Sequence, residues 1–189
     1  LYLSVRDGVF NIPYLYRSYD GETWETIVNN GFDRPQNDQA PHLTAFQDCL
    51  YVGTRAYILG AEILRTCDGE IWEAIVSQGF GDDEHLEITN LLVFGDQLFA
   101  TTAAADGAAA GTYIWRSSDG EDWTPANTPG FGRRGRFATA PNTLVGFNEQ
   151  LYAACGDPDD CAASVGMQGV WRTDNHAPVG EYLELETTW

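Results

Sequence analysis

Short runs of alternating apolar and polar residues, or of crowded β-branched and aromatic residues, recur along the chain between Gly, Asp and Asn. Four kinds of run stand out: Thr89-Asn90-Leu91-Leu92-Val93-Phe94, Leu50-Tyr51-Val52-Gly53-Thr54, Tyr113-Ile114-Trp115-Arg116-Ser117 and Trp72-Glu73-Ala74-Ile75-Val76. Each has the length of a single strand. No segment holds a 3.6-residue apolar period beyond a turn or two, so helices are not expected. The Ala-rich stretch from Ala103 to Ala110 is broken by Asp106-Gly107 and replaces a hairpin loop.

The runs return in register. Arg17-Ser18-Tyr19-Asp20-Gly21-Glu22-Thr23-Trp24 recurs as Arg65-Thr66-Cys67-Asp68-Gly69-Glu70-Ile71-Trp72, and again as Arg116-Ser117-Ser118-Asp119-Gly120-Glu121-Asp122-Trp123. The three motif tryptophans lie 48 and 51 residues apart. A Gly-Phe pair follows each at one offset: Gly31-Phe32, Gly79-Phe80 and Gly130-Phe131. A second set of landmarks is Phe46…Leu50-Tyr51, Phe94…Leu98-Phe99 and Phe147…Leu151-Tyr152, with Leu1-Tyr2 a further copy of its second half. Trp171-Arg172-Thr173-Asp174 is a degenerate copy of the arginine motif.

Four short antiparallel strands per unit of about 50 residues is the arithmetic of a propeller blade. The fold class is therefore all-β: a β-propeller built from four-stranded antiparallel blades, with about four blade units in this chain. The units run approximately over 1–30, 41–78, 86–128 and 140–189. They form a single propeller domain or a consecutive part of a larger one, with the second arrangement preferred and a closed four-bladed ring the alternative. In each repeat the Asp-Gly pair marks a hairpin between third and fourth strands, Gly supplying a positive φ and Asp accepting backbone N–H bonds.

The Ser-x-Asp-Gly-x-x-Trp turns resemble a shortened form of the Asp-box repeat of sialidase-type and related propellers. The wider string from Gly60 to Gly81 is similar to repeats in secreted bacterial and archaeal propeller proteins. The resemblance implies the fold along the whole chain. It also implies that Asp20, Asp68 and Asp119 belong to turns away from the funnel where such enzymes act, and so are structural. Trp24, Trp72 and Trp123 are read with them, as rings that fill space between blades.

Charge narrows the partners. The 189 residues carry 28 Asp+Glu against 10 Lys+Arg, a net −18, and every basic residue is arginine. Much of the acid sits in the repeated turns (Asp20, Glu22, Asp68, Glu70, Asp119, Glu121). Nucleic acid would be repelled. Membrane insertion is not expected, because no apolar run nears the ~20 residues of a spanning helix.

Four cysteines in such a chain suggest an oxidising compartment, hence an extracellular or cell-surface location. Cys155 and Cys161 flank a short loop that a disulfide would staple. Cys49 and Cys67 are equidistant from residue 58, so a second-to-third-strand hairpin centred there makes them opposite neighbours within disulfide reach. The repeated Arg17, Arg65, Arg116 and Arg172 read as scaffold, pairing with carboxylates such as Glu62 or Glu70. No cofactor is expected. The one candidate ion is calcium, on the acidic loops containing Asp82 and Asp83, or Asp157, Asp159 and Asp160.

Function is sought where blades differ. Arg55 and Tyr57 in the loop after a second strand, with Arg133, Arg134 and Arg136 in another turn, are candidate ligand-binding residues offering planar donors and an aromatic platform. Nucleophile elbows, P-loops and dinucleotide fingerprints are absent from the sequence. The leading expectation is thus a non-catalytic extracellular scaffold that binds a glycan or protein ligand. A carbohydrate-active enzyme of the Asp-box type is the alternative, and self-association into a surface layer or filament the third reading. Two or three carboxylates with an arginine lining the central channel would mark the enzyme, and an apolar or bare channel would end that reading.

Overall fold

The computed structural model describes residues 1–8, 12–104, 113–127, 141–155 and 170–172. The chain is an all-β propeller fold, divided into two compact units, Leu1–Leu91 and Leu92–Trp189.

The first unit opens with a three-stranded antiparallel sheet: β1 (Tyr2–Arg6), β2 (Pro13–Arg17) and β3 (Glu25–Val28). A complete four-stranded blade follows, β4 (Asn37–Phe46), β5 (Cys49–Ala56), β6 (Ile63–Thr66) and β7 (Glu73–Val76), each strand antiparallel to the one before. β8 (His85–Phe94) then begins, and Glu87 pairs with Arg55 of β5. In the second unit the end of β8 leads to β9 (Gln97–Ala104), β10 (Tyr113–Ser117) and β11 (Thr124–Pro125). A last sheet holds β12 (Pro141–Phe147), β13 (Gln150–Cys155) and β14 (Val170–Arg172).

The first strands are longer than their apolar pattern suggests. β8 starts at His85, four residues before Thr89, and β4 starts at Asn37. Their leading residues, Asn37-Asp38-Gln39 and His85-Leu86-Glu87, carry no simple alternation, yet backbone pairing extends through them. The site described below lies in these polar extensions.

Successive sheets of the first unit pack face to face. Val52 and Leu64 of the complete blade meet Leu15 and Val28 of the preceding sheet around Ala40, all five buried. Trp72 packs against this cluster and meets the edge of Phe32 with ring centroids 4.9 Å apart. Trp24, by contrast, is exposed. The second unit gathers Phe99, Ile114, Ala126, Leu144, Leu151 and Ala153 in the same manner. Packing is tight at Gly53 of β5, where a Cβ would stand 2.5 Å from Ile88 Cγ2.

The repeated turns share one hydrogen-bond set. Asp20 Oδ1 accepts from the amides of Glu22 and Thr23, Asp68 Oδ1 from those of Glu70 and Ile71, and Asp119 Oδ1 from those of Glu121 and Asp122, all at 2.8–2.9 Å. The hydroxyls of Ser18, Thr66 and Ser117 donate to the same aspartates and accept from Gly21, Gly69 and Gly120. Those glycines sit at φ near +80°, in the left-handed region that other residues enter only at a cost.

Cys49 and Cys67 form a disulfide, with Cα atoms 4.1 Å apart. The β5–β6 register of Leu50 with Thr66 and Tyr51 with Arg65 continues directly to this pair. Cys161 lies outside the described residues, and with it the proposed pairing to Cys155. Among the described residues, no helix is long and apolar enough to cross a membrane.

Candidate functional site

Strands from two sheets contribute polar residues to one place in the first unit. Arg6 ends β1, Asp38 and Gln39 lie near the start of β4, Arg55 lies near the end of β5, and Glu87 lies near the start of β8. Strand register brings Gln39 and Glu87 against Arg55 from its two sides. Arg55 grips Asp38 with a two-point contact, Nε to Oδ1 at 3.2 Å and Nη2 to Oδ2 at 2.8 Å. Arg6 Nη2 stands 4.0 Å from the same Oδ2. With its amide turned so that oxygen faces the guanidinium groups, Gln39 accepts from Arg6 Nη1 at 3.2 Å and Arg55 Nη2 at 2.6 Å. Tyr57 completes the group: its hydroxyl accepts from Arg55 Nη2, and its ring lies 4.6 Å from the guanidinium carbon.

A buried network fixes the start of β4. The Glu62 side chain is 5% exposed. It accepts from Arg34 Nη1 at 2.6 Å and from Asn37 Nδ2 at 2.7 Å. The Glu62 amide donates to Thr54 Oγ1, while its carbonyl accepts from the Thr54 amide. Asn37 is therefore tied to the β5–β6 side of the blade, which orients its neighbour Asp38 toward Arg55. Glu62 thus pairs with Arg34 rather than with a repeated arginine. Arg17 and Arg65 instead meet their cross-strand partners Glu25 and Glu73, and Arg17 also reaches Glu70 at 3.5 Å.

The two carboxylates of the site have different surroundings. Asp38 is held in an ion pair. Glu87 is half-buried, and desolvation raises its pKa above the usual carboxylate value; Arg55 opposes this shift and Asp38 adds to it. Arg55 is itself held more firmly protonated, first by its hydrogen bond to Asp38. The two carboxyls thus differ: Asp38 is held by two hydrogen bonds from Arg55, whereas Glu87 is inclined to keep its proton.

Of the residues that the sequence alone marks as candidates, Arg55 and Tyr57 lie together here. Arg133, Arg134, Arg136, Asp157, Asp159 and Asp160 lie outside the described residues. Asp82 Oδ1 accepts from the Glu84 amide, and Asp83 is exposed nearby. Among the described residues, no group of three or more His, Cys, Asp or Glu side chains is arranged to hold a metal. Arg6, Asp38, Gln39 and Glu87 are not among those candidates, although the repeats carry a signal for Arg6, Gln39 and Glu87. Arg6 and Arg55 each stand five residues after the Leu of a Leu-Tyr pair, where the next copy has Ala103. Gln39 and Glu87 each stand seven residues before the repeated Phe.

No family model and no curated protein matches the chain. Solved structures do. A family 117 glycoside hydrolase from the marine bacterium Zobellia galactanivorans matches with a TM-score of 0.51 at 12% identity, over 88% of this chain and 53% of its own. A GH32 β-fructofuranosidase of Bombyx mori, in complex with sucrose, matches with a TM-score of 0.50 at 10% identity, over 90% of this chain and 42% of its own. The chain thus spans about half the length of these structures. At such identities the likeness is one of fold. It nevertheless corrects the expectation of a non-catalytic scaffold, because the proteins this propeller resembles are enzymes that act on sugars. The physical reason is in the site: charged residues from separate repeats converge at places that repeat-averaged reading treats as loop.

Proposed function

We propose that this chain carries the acid–base site of a glycoside hydrolase propeller. The observation that carries the reading is the pairing of half-buried Glu87, with its raised proton affinity, and ion-paired Asp38 on the first strands of successive blades. In this mechanism Glu87 donates its proton to the glycosidic oxygen as the bond to the sugar breaks. Asp38 supplies negative charge to the developing oxocarbenium centre, water adds to that carbon, and the proton water gives up returns to the Glu87 carboxylate. Arg55 orients Asp38 through two hydrogen bonds, and Tyr57 holds Arg55 from its ring side.

This chemistry, and the likeness of fold to sugar-hydrolysing propellers, support a glycan as the class of substrate. The disulfide supports an extracellular setting. The local hydrogen-bond set at Asp20, Asp68 and Asp119 supports kinship of these turns with Asp-box turns.

The test is Glu87→Gln assayed on a panel of 4-nitrophenyl glycosides. Hydrolysis should fall roughly a thousandfold with the fold intact. Since the folded state favours the protonated carboxyl, stability from that preference is present at low pH and lost as pH rises through the raised pKa. The amide should therefore melt no lower than the parent at neutral pH. Unchanged turnover in Glu87→Gln would overturn the assignment.

A further inference from the structure

The loop after β5 ends in an apolar tip. Tyr57, Ile58 and Leu59 are 61%, 73% and 54% exposed, three consecutive large side chains turned to solvent. Leu59 holds φ +83°, a left-handed conformation that is costly for a branched side chain. The base of the tip is pinned. The Ala61 amide donates to the His85 carbonyl at 2.7 Å, and the Gly79 amide donates to the Ala61 carbonyl at 3.0 Å. Gly60 approaches so closely that a Cβ there would stand 2.5 Å from the Gly79 nitrogen. On the other side, Tyr57 is fixed to Arg55 by its hydroxyl and its ring. The tip is therefore presented outward at a local strain cost, joined through Tyr57 to the Arg55 that holds Asp38.

We infer that Tyr57, Ile58 and Leu59 form an acceptor-side subsite for an apolar group attached to the sugar, an aryl or alkyl aglycone. This rests on the hydrolase reading above. The polarity of the surface sets the order of the ligand. Hydroxyl groups need the partners that Arg55, Asp38, Gln39 and Glu87 provide, whereas Ile58 and Leu59 offer none and would leave a buried hydroxyl unpaired. One face of the Tyr57 ring is taken by Arg55. An apolar leaving group would rest on the opposite face and over the two aliphatic side chains, while the sugar lies toward Glu87.

The experiment compares the 4-nitrophenyl glycoside hydrolysed fastest in the panel with the methyl glycoside of the same sugar. The proteins are the parent chain, Ile58→Ser and Leu59→Gly, the last accepting a positive φ without strain. Each substitution should raise KM for the aryl substrate about tenfold, leaving kcat and the methyl glycoside unchanged. Equal effects on both substrates, or no effect on either, would overturn the subsite. If the panel shows no hydrolysis, ligand-observed NMR with 4-nitrophenyl β-D-glucopyranoside replaces the kinetics. Binding weakened by Ile58→Ser then supports the subsite while the hydrolase reading fails, and binding absent or indifferent to that change overturns both.

Discussion

Arg55 and Glu87 are direct strand partners, yet the guanidinium of Arg55 turns to Asp38 with two hydrogen bonds. Glu87 thus feels the cation without being neutralised by it, and burial remains the dominant influence on its proton. Removing the cation should act on both carboxylates. In Arg55→Gln, Glu87 loses the one influence that lowers its pKa, so the alkaline limb of the pH–rate profile should move upward. Asp38 loses its two-point partner, costing about 2 kcal/mol of stability after allowance for partial exposure. A pH profile paired with thermal melts checks both effects.

Glu62→Ala should be the most destabilising change near the site. It leaves Arg34 and Asn37 facing a vacated, largely buried position, at a cost of about 3 kcal/mol. Because Asn37 adjoins Asp38, turnover should fall as well, though Glu62 touches neither Arg55 nor Glu87 in any described contact. Urea titration and glycoside assays measure the two losses separately.

Acid should loosen the turns in a defined direction. Backbone N–H bonds hold Asp68 and Asp119 below the usual carboxylate range, and Asp20 likewise. Stability from these groups is present above the unfolded-state pKa and disappears as pH falls through the folded one. The melting temperature of the parent should therefore drop on acidification below about pH 4, and the triple change Asp20→Asn, Asp68→Asn and Asp119→Asn should flatten that slope. A flat acid profile in the parent chain would refute the link.

The Cys49–Cys67 bond closes a separation of 18 residues. Constraint of the unfolded chain over such a loop contributes about 3 kcal/mol. Cys49→Ala with Cys67→Ala should lower the denaturation midpoint accordingly, and peptide mapping of the parent without reductant should recover the two cysteines in one linked fragment.

The blades were legible in the sequence because each repeated residue answers a local demand. A left-handed turn calls for Gly69, free turn amides and a hydroxyl call for Asp68, and a hairpin axis at residue 58 places Cys49 against Cys67. The site obeys no such local rule. Asp38 meets Arg55 across 17 residues of chain, and Glu87 joins them only because β8 comes alongside the end of β5 where β6 no longer pairs. Their strand extensions are polar, so alternation fades where the chemistry begins. Arg55 and Tyr57 were visible because they stand at the end of β5 and just beyond it, where the loops depart from the repeat. Asp38 and Glu87 break it within strands, where polar residues read as strand ends.

The turn hydrogen bonds close within a handful of residues, so any copy of the repeat carries its own fastening. The charged cluster does not travel that way. Arg6 belongs to one sheet, Asp38 and Arg55 to the next, and Glu87 to the strand beyond it. Duplicating or excising a single blade would multiply or remove scaffold while leaving the cluster incomplete. The smallest heritable unit of this chemistry is a run of three neighbours, and selection on it would act on the joints between blades.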